Sequence, residues 1–191
     1  GSHTAPCSMT RLTCSDIDDQ AANLRQWKQV YEQMTPGPFV GSVHEVSYGG
    51  VQVFRETTSQ AVHESGAPWK GSRAIGVPMR VDGAALFRGQ AIDTDALVTL
   101  GGDDELDFYT PCGFDILGLV VDECALEAHA RQIEHRDIAA AFDGKSVLKP
   151  DPGRLDEFRR LLLSVLQSLD ANPAALRFRQ TQRVLEQSLL R

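Results

Sequence analysis

Two periods divide the chain. From Phe39 to Asp122 apolar residues alternate with polar ones, whereas on either side they recur every third or fourth position. The first helical pattern opens at Ser15, which makes an S-x-x-D cap with Asp18. It continues through Ile17, Ala21, Leu24, Trp27, Tyr31 and Met34 to a stop at Pro36-Gly37-Pro38. This spacing predicts one helix with a core-facing stripe. In the middle span, turn chemistry at Gly49-Gly50, Gly66-Ala67-Pro68, Asp82-Gly83, Gly101-Gly102-Asp103-Asp104 and Pro111-Cys112-Gly113 separates predicted strands. They fall at 39 to 48, 51 to 63, 72 to 81, 84 to 92, 96 to 100, 105 to 109 and 114 to 121. About seven short antiparallel strands at that spacing predict a small barrel or sandwich flanked by helices, an α+β chain.

Beyond Asp122, a cap candidate, Leu126, Ala130 and Ile133 share one face of a predicted helix over 123 to 136. A second helix, from Arg154 to about Leu169, carries Leu155, Phe158, Leu162, Val165 and Leu169 at alternating steps of three and four, an a/d-like seam that could pair two subunits. Asn172-Pro173 then restarts a helix, with Asn at the cap and Pro at the first position. Val184, Leu185, Leu189 and Leu190 carry that pattern to Arg191 without a stop signal, so the expectation is one module of a larger protein. Residues 1 to 14 read as a tag remnant, Gly1-Ser2-His3, and a flexible lead. The expected division is 15 to 122 for the first helix and the sheet, and 123 to 191 for a helical linker or dimerisation region.

Charge and residue types then narrow the function. A net charge of −7 over 191 residues argues against nucleic-acid contact by this segment, because phosphate binding needs clustered Lys and Arg. Cys7, Cys14, Cys112 and Cys124 have no metal-ligand or disulfide-framework spacing, which points to reduced thiols in a cytoplasm. The longest apolar stretches, such as Ile116 to Val121, are too short for a bilayer. No G-x-S-x-G, Walker A, G-x-G-x-x-G or H-E-x-x-H motif is present, so no enzyme activity, cofactor or metal is expected. A cupin metal site would need more histidines than His44 and His63 supply, and the adjacent His44 and Glu45 point to opposite faces of a strand.

The sheet does offer residues for a small-molecule pocket. Arg55 and His63 share parity with Val51 and Val53, Trp69 and Arg73 flank the turn into the third strand, and Tyr48, Arg88 and Tyr109 add polar or aromatic groups. Arginine among them would suit a carboxylate or phosphate. Phe54, Met79 and Leu86 are large residues that could instead fill the interior.

The segment Gln33-Met34-Thr35-Pro36-Gly37-Pro38-Phe39-Val40-Gly41, the strand Val51-Gln52-Val53-Phe54-Arg55-Glu56 and the run Asp115-Ile116-Leu117-Gly118-Leu119-Val120-Val121-Asp122 resemble the N-terminal regulatory domain of AraC-type transcription regulators. Within that family they are most similar to the branch of ethanolamine-operon activators. The resemblance implies a cupin-like sensing barrel, linker helices that pair two subunits, a small-molecule effector, and DNA contacts made by a C-terminal helix-turn-helix unit outside this chain. Two other readings fit a small barrel: a metal-dependent cupin enzyme, and a cyclic-dinucleotide receiver using Arg73, Arg80 and Arg88.

Overall fold

The computed structural model describes residues 8–48, 50–123, 142, 144–167 and 180. Twelve strands lie in two antiparallel sheets among these residues. In chain order the elements are β1 (Ser8–Cys14), α1 (Ile17–Ala22), β2 (Lys28–Gln33), β3 (Gly41–Tyr48), β4 (Val51–Thr58), β5 (Val62–Ala67) and β6 (Ser72–Arg80). There follow β7 (Ala85–Phe87), β8 (Gln90–Ile92), β9 (Leu97–Gly101), β10 (Leu106–Thr110), β11 (Phe114–Asp122), β12 (Val147–Leu148) and α2 (Pro152–Gln167). The larger sheet has the order β1-β3-β4-β11-β6-β9-β12, and the smaller the order β2-β5-β10-β7-β8. All seven predicted strand regions are present, but two of them are split. The 51 to 63 region breaks after Thr58, and the 84 to 92 region folds into a tight hairpin in which Arg88 and Gly89 both take positive φ, +48° and +81°.

Alternation gives the larger sheet two unlike faces. Val43, Phe54, Ala74, Val98, Ile116 and Val120 point toward the smaller sheet and meet Phe87, Leu106 and Phe108 there. Val46, Val53, Ile75, Val77, Leu117 and Leu119 point the other way and are covered by Leu155, Phe158, Leu162, Val165 and Leu166 of α2. The inward Phe54 ring lies across β11 where a Cβ on Gly118 would strike it, so that position admits only glycine without displacing the ring. Met79 packs with the α2-side cluster, and Leu86 is 39% exposed, so of the three proposed fillers only Phe54 occupies the interior.

Three expectations are corrected. The predicted helix from Ser15 to Met34 is a single short helix, α1, followed by an edge strand, β2. Asp16 rather than Ser15 caps it, its Oδ1 accepting from the backbone N–H of Asp18 at 2.8 Å and of Asp19 at 3.0 Å. The helix ends at Ala22 with Asn23 as its C-cap, Gln26 takes φ +65° in the turn that follows, and Lys28–Gln33 pairs with β5 so that Tyr31 points inward while Met34 is left 51% exposed. The lead expected to be flexible is strand β1 from Ser8 onward, in register with β3 from Ser8↔Ser47 to Cys14↔Gly41. The seam Leu155, Phe158, Leu162 and Val165 is buried to 3% exposure or less against the chain's own sheet, so it cannot also be a subunit seam. Leu169, the 123 to 136 helix beyond Glu123 and the helix after Asn172-Pro173 lie outside the described residues.

No helix among the described residues is long and apolar enough to cross a membrane.

Candidate functional site

Polar residues at inward parity are the sequence's departure from a dry core. Gln52, Glu56 and Thr58 alternate with the outward Val53 and Arg55 on β4, Glu45 stands inward on β3, and Glu64 stands inward on β5 beside Val62. Each is 6% exposed or less. Tyr31 on β2 sits opposite Glu64 in register, and its hydroxyl donates to Glu56, 2.9 and 2.8 Å from the two carboxyl oxygens. Gln20 of α1 reaches in as well, its Nε2 lying 3.3 Å from Glu56 Oε2 and within bonding distance of the Ser42 and Thr57 carbonyls.

Two groups of buried carboxylates result, and their surroundings differ. Glu45 accepts from Ser47 Oγ and Gln52 Nε2 at 2.9 Å each and from the Arg25 N–H at 3.4 Å. It is a well-satisfied structural acid. Glu56 and Glu64 are poorer in donors, and they line a cavity of about 50 Å³ between the sheets. Burial raises Glu56 to about 7, against the lowering effect of its bonds from Tyr31 and Gln20. Burial raises Glu64 well above the carboxylate range, and the Glu56 charge raises it further. Tyr31 is pushed well above an ordinary phenol, first by burial and then by the two carboxylates. Leu24, Phe54, Phe87, Leu106, Phe108 and Ile116 make the remaining wall predominantly apolar.

None of the predicted pocket residues with described side chains lines this cavity. Arg55 lies on the α2 side of the larger sheet and makes a bidentate pair with Asp115, at 3.0 and 2.7 Å. Arg73 is on that side too, bonded through Nε and Nη2 to Glu123 Oε1 and 5.2 Å from the Phe142 ring centre. Trp69 donates to Asp122 Oδ1 at 2.9 Å. His63 is on the outer surface of the smaller sheet, 2.8 Å from Asp107 and stacked on Tyr109 at 4.0 Å, and the structure gathers these with Arg88 around one surface hollow. Tyr48's side chain is outside the described residues. Arg55 shares its parity with Val51 and Val53, which face α2 and not the interior, and the break after Thr58 places His63 on the other sheet. The inner face instead carries the buried acids Glu56 and Glu64, which a dry core would not contain.

The cyclic-dinucleotide reading needs its arginines together. Arg73 and Arg80 stand near opposite ends of β6, about 23 Å apart at 3.3 Å per residue, and Arg80 is bonded to Asp82. Arg88 sits on the other sheet, bonded to Ser146. Among the described residues no three His, Cys, Asp or Glu side chains are grouped as metal ligands.

An antiparallel sandwich with a buried acidic cavity between its sheets and a helix across its back defines the class of this fold. A solved structure with that fold is the AraC-like transcriptional activator CuxR, aligned over 95% of this chain and 70% of that one with a TM-score of 0.66 at 10% sequence identity. Two further structures align over about half of the chain. A conserved protein of unknown function from Pseudomonas aeruginosa covers 50% of this chain and 58% of its own at 13% identity and a TM-score of 0.36. A tyrosine-to-phenylalanine variant of Streptomyces PAC13 with uridine covers 52% and 84% at 14% identity and 0.31. No family model matches the sequence.

Proposed function

We propose that this chain is the effector-sensing domain of a bacterial AraC-type transcription regulator, which acts in the cytoplasm and reaches DNA through a separate helix-turn-helix unit. The fold shared with an AraC-like activator supports the regulator reading. Its closer placement among ethanolamine-operon activators rests on the sequence motifs alone. One observation carries the sensing role: a single sheet has, on one face, a cavity in which Tyr31, Glu56 and Glu64 stand among apolar side chains, and α2 on the other. A ligand that shifts Phe54 or Glu56 on the inner face moves Val53 and Arg55 on the outer face, because they are neighbours on β4. Arg159 ties α2 to the same sheet, its Nη2 donating to the Pro78 and Thr94 carbonyls. Two discrete packings of α2 on the sheet would give the bistable element that regulation requires. The homodimer expected of such a regulator then uses a surface outside the Leu155 to Val165 stripe.

The experiment is a thermal-shift screen of small metabolites, followed by hydrogen exchange over α2 and light scattering with each hit. A ligand that raises Tm and changes amide protection in Pro152–Gln167 supports sensing. A saturating ligand that leaves α2 protection and self-association unchanged breaks the transmission step.

A further inference from the structure

A sheet edge presents a row of unpaired backbone N–H and C=O groups, and proteins keep such rows from pairing with another chain by making the edge strand short, charged or irregular. Among the described residues, three of the four edges follow that rule. β12 and β8 are two and three residues long. β2, six residues long, turns Lys28 and Glu32 outward and is tied to α1 by Gln29 Nε2, which donates to the Ala21 carbonyl at 3.2 Å. β1 does not follow it. It runs for seven residues without a proline, pairs with β3 from Ser8↔Ser47 to Cys14↔Gly41 without a register shift, and has no strand on its far side among the described residues. Arg11 is its single charge, and Met9 and Leu12 are 39% and 41% exposed. The strand is also fixed from within the chain, because Asn23 Nδ2 donates to Cys14 Sγ at 2.7 Å and Arg25 Nη1 to Ser8 Oγ at 3.2 Å. An edge held at both ends needs little further ordering before it pairs.

We propose that β1 pairs antiparallel with β1 of a second copy, joining the two larger sheets edge to edge across a two-fold axis at Leu12. The inference deepens the regulator reading by giving its homodimer a surface, and it is decided by self-association rather than by ligand binding. No other edge among the described residues is both long and nearly free of charge, so an edge-to-edge contact between copies has β1 to use on each side.

Charge selects the register. Residues opposite each other in an antiparallel pair point to the same face, and a two-fold axis normal to the sheet keeps each face on its own side. Odd-numbered residues therefore meet odd ones, and even meet even. Pairing centred on Arg11 sets the two guanidinium side chains directly opposite each other, which is destabilising. Centring on Thr10 leaves Leu12 against the partner's Ser8 and Arg11 against the partner's Met9. Centring on Leu12 sets it against the partner's Leu12, with Thr10 against the partner's Cys14 and Arg11 against the partner's Thr13. That register covers apolar surface with apolar surface and places each guanidinium beside a hydroxyl. The ladder runs from Thr10 to Cys14, about 17 Å at 3.3 Å per residue. A contact of that length is smaller than a permanent dimer buries, so the dimer is weak, with a Kd on the order of 10–100 μM.

The test is sedimentation velocity and light scattering on the full chain from about 5 μM to 1 mM, with hydrogen exchange at both ends of that range. The expected result is a reversible monomer–dimer equilibrium in which amide protection of Ser8–Cys14 rises with concentration. Thr13 is exposed, so a charge can be placed there without entering the core. Thr13→Glu meets the partner's Arg11 twice across the axis and should tighten the dimer about threefold or more, whereas Thr13→Lys should weaken it by a similar factor. Leu12→Lys sets two ammonium groups opposite each other and should weaken it about tenfold or more. If that variant fails to fold, the opposed pair at position 13 decides. Val30→Lys, at a 67% exposed position on the outer face of the smaller sheet, should leave the dimer unchanged. A chain that stays monomeric at the highest concentration overturns the proposal. So does a dimer that ignores the sign of the charge at position 13 or leaves the β1 amides unprotected, since the contact then lies on another surface. Either failure leaves the sensing role standing, because that role is decided separately by ligand-induced protection of α2.

Discussion

The two faces of the larger sheet are built by the same strands and obey opposite rules. On the α2 face, Val46, Val53, Ile75, Val77, Leu117 and Leu119 close against Leu155, Phe158, Leu162 and Val165, and the arginines of that face, Arg55 and Arg73, are paired with Asp115 and Glu123. On the inner face the same β4 places Gln52, Glu56 and Thr58 among Phe54 and its neighbours and leaves a cavity beside them. A dry face gains its full transfer free energy from burial. A face carrying buried acids forgoes part of it, because each carboxyl must be neutralised or hydrogen-bonded. On the outer side of β4 the charged residue, Arg55, is half exposed and paired with Asp115, whereas on the inner side Glu56 is buried, so the inner face carries the costlier polar groups.

The largest test of that contrast is on the dry side. Phe158 is 2% exposed at the centre of the α2 contact, and Phe158→Ala should destabilise the chain by about 3–5 kcal/mol, read as a lowered urea midpoint. A loss under about 1 kcal/mol would mean that α2 is not a fixed part of this core. The next test is the pH dependence of the wet side. Glu56 has a folded-state pKa of about 7, above the ordinary carboxylate value of 4.5, so the folded chain binds the extra proton. The stability associated with that proton is fully present below about 4.5 and is lost as pH rises through 7. At 1.36 kcal/mol per unit the loss is about 3 kcal/mol for this group. Urea midpoints of the unaltered chain minus those of Glu56→Gln, taken from pH 4.5 to 8, should fall by that order, and a flat difference would show that Glu56 is not buried as an acid.

The contrast between faces was only half legible in the chain itself. Val53, Leu117, Leu155 and Phe158 announce buried surface by period alone, and the two strands and the helix that contain them follow from it. Which side of β4 is interior does not, because Val51 and Val53 are as apolar as any inward residue and a helix after residue 150 covers them. Periodicity reports that a face is buried, not what buries it. The polar inner face showed only as acids out of place, Glu56 and Glu64, whose partner Tyr31 had been assigned to a helix. Its spacing of four from Trp27 suits a helix turn, but the strand is selected by pairing with β5, a long-range contact that local pattern does not contain. β1 and β12 were missed for a related reason: one is a polar edge strand with most of its residues exposed, and the other is two residues long.

The polar network gives the third test. Tyr31→Phe removes the hydroxyl that donates to Glu56 and contacts Glu64, at an expected cost of about 1–2 kcal/mol at pH 8 and less at pH 5, where neutral carboxyls need that donor less. Equal losses at the two pH values would mean that the hydroxyl serves packing alone and that the acids are uncoupled from it.

The smallest effect should come from the residue that sequence parity placed in the pocket. Arg55 faces the α2 side, with its side chain 39% exposed and paired to a 17% exposed Asp115. A partly solvated pair of this kind contributes about 0–1 kcal/mol. Arg55→Ala should therefore change the urea midpoint little, and it should leave the affinity for any ligand of the inner cavity within twofold, since β4 separates the two. A ligand whose binding falls tenfold with Arg55→Ala while Glu56→Gln leaves it unchanged would reverse the assignment of faces. The outer surface of the sheet would then be the recognition surface, and the buried acids would be a structural feature of the core alone.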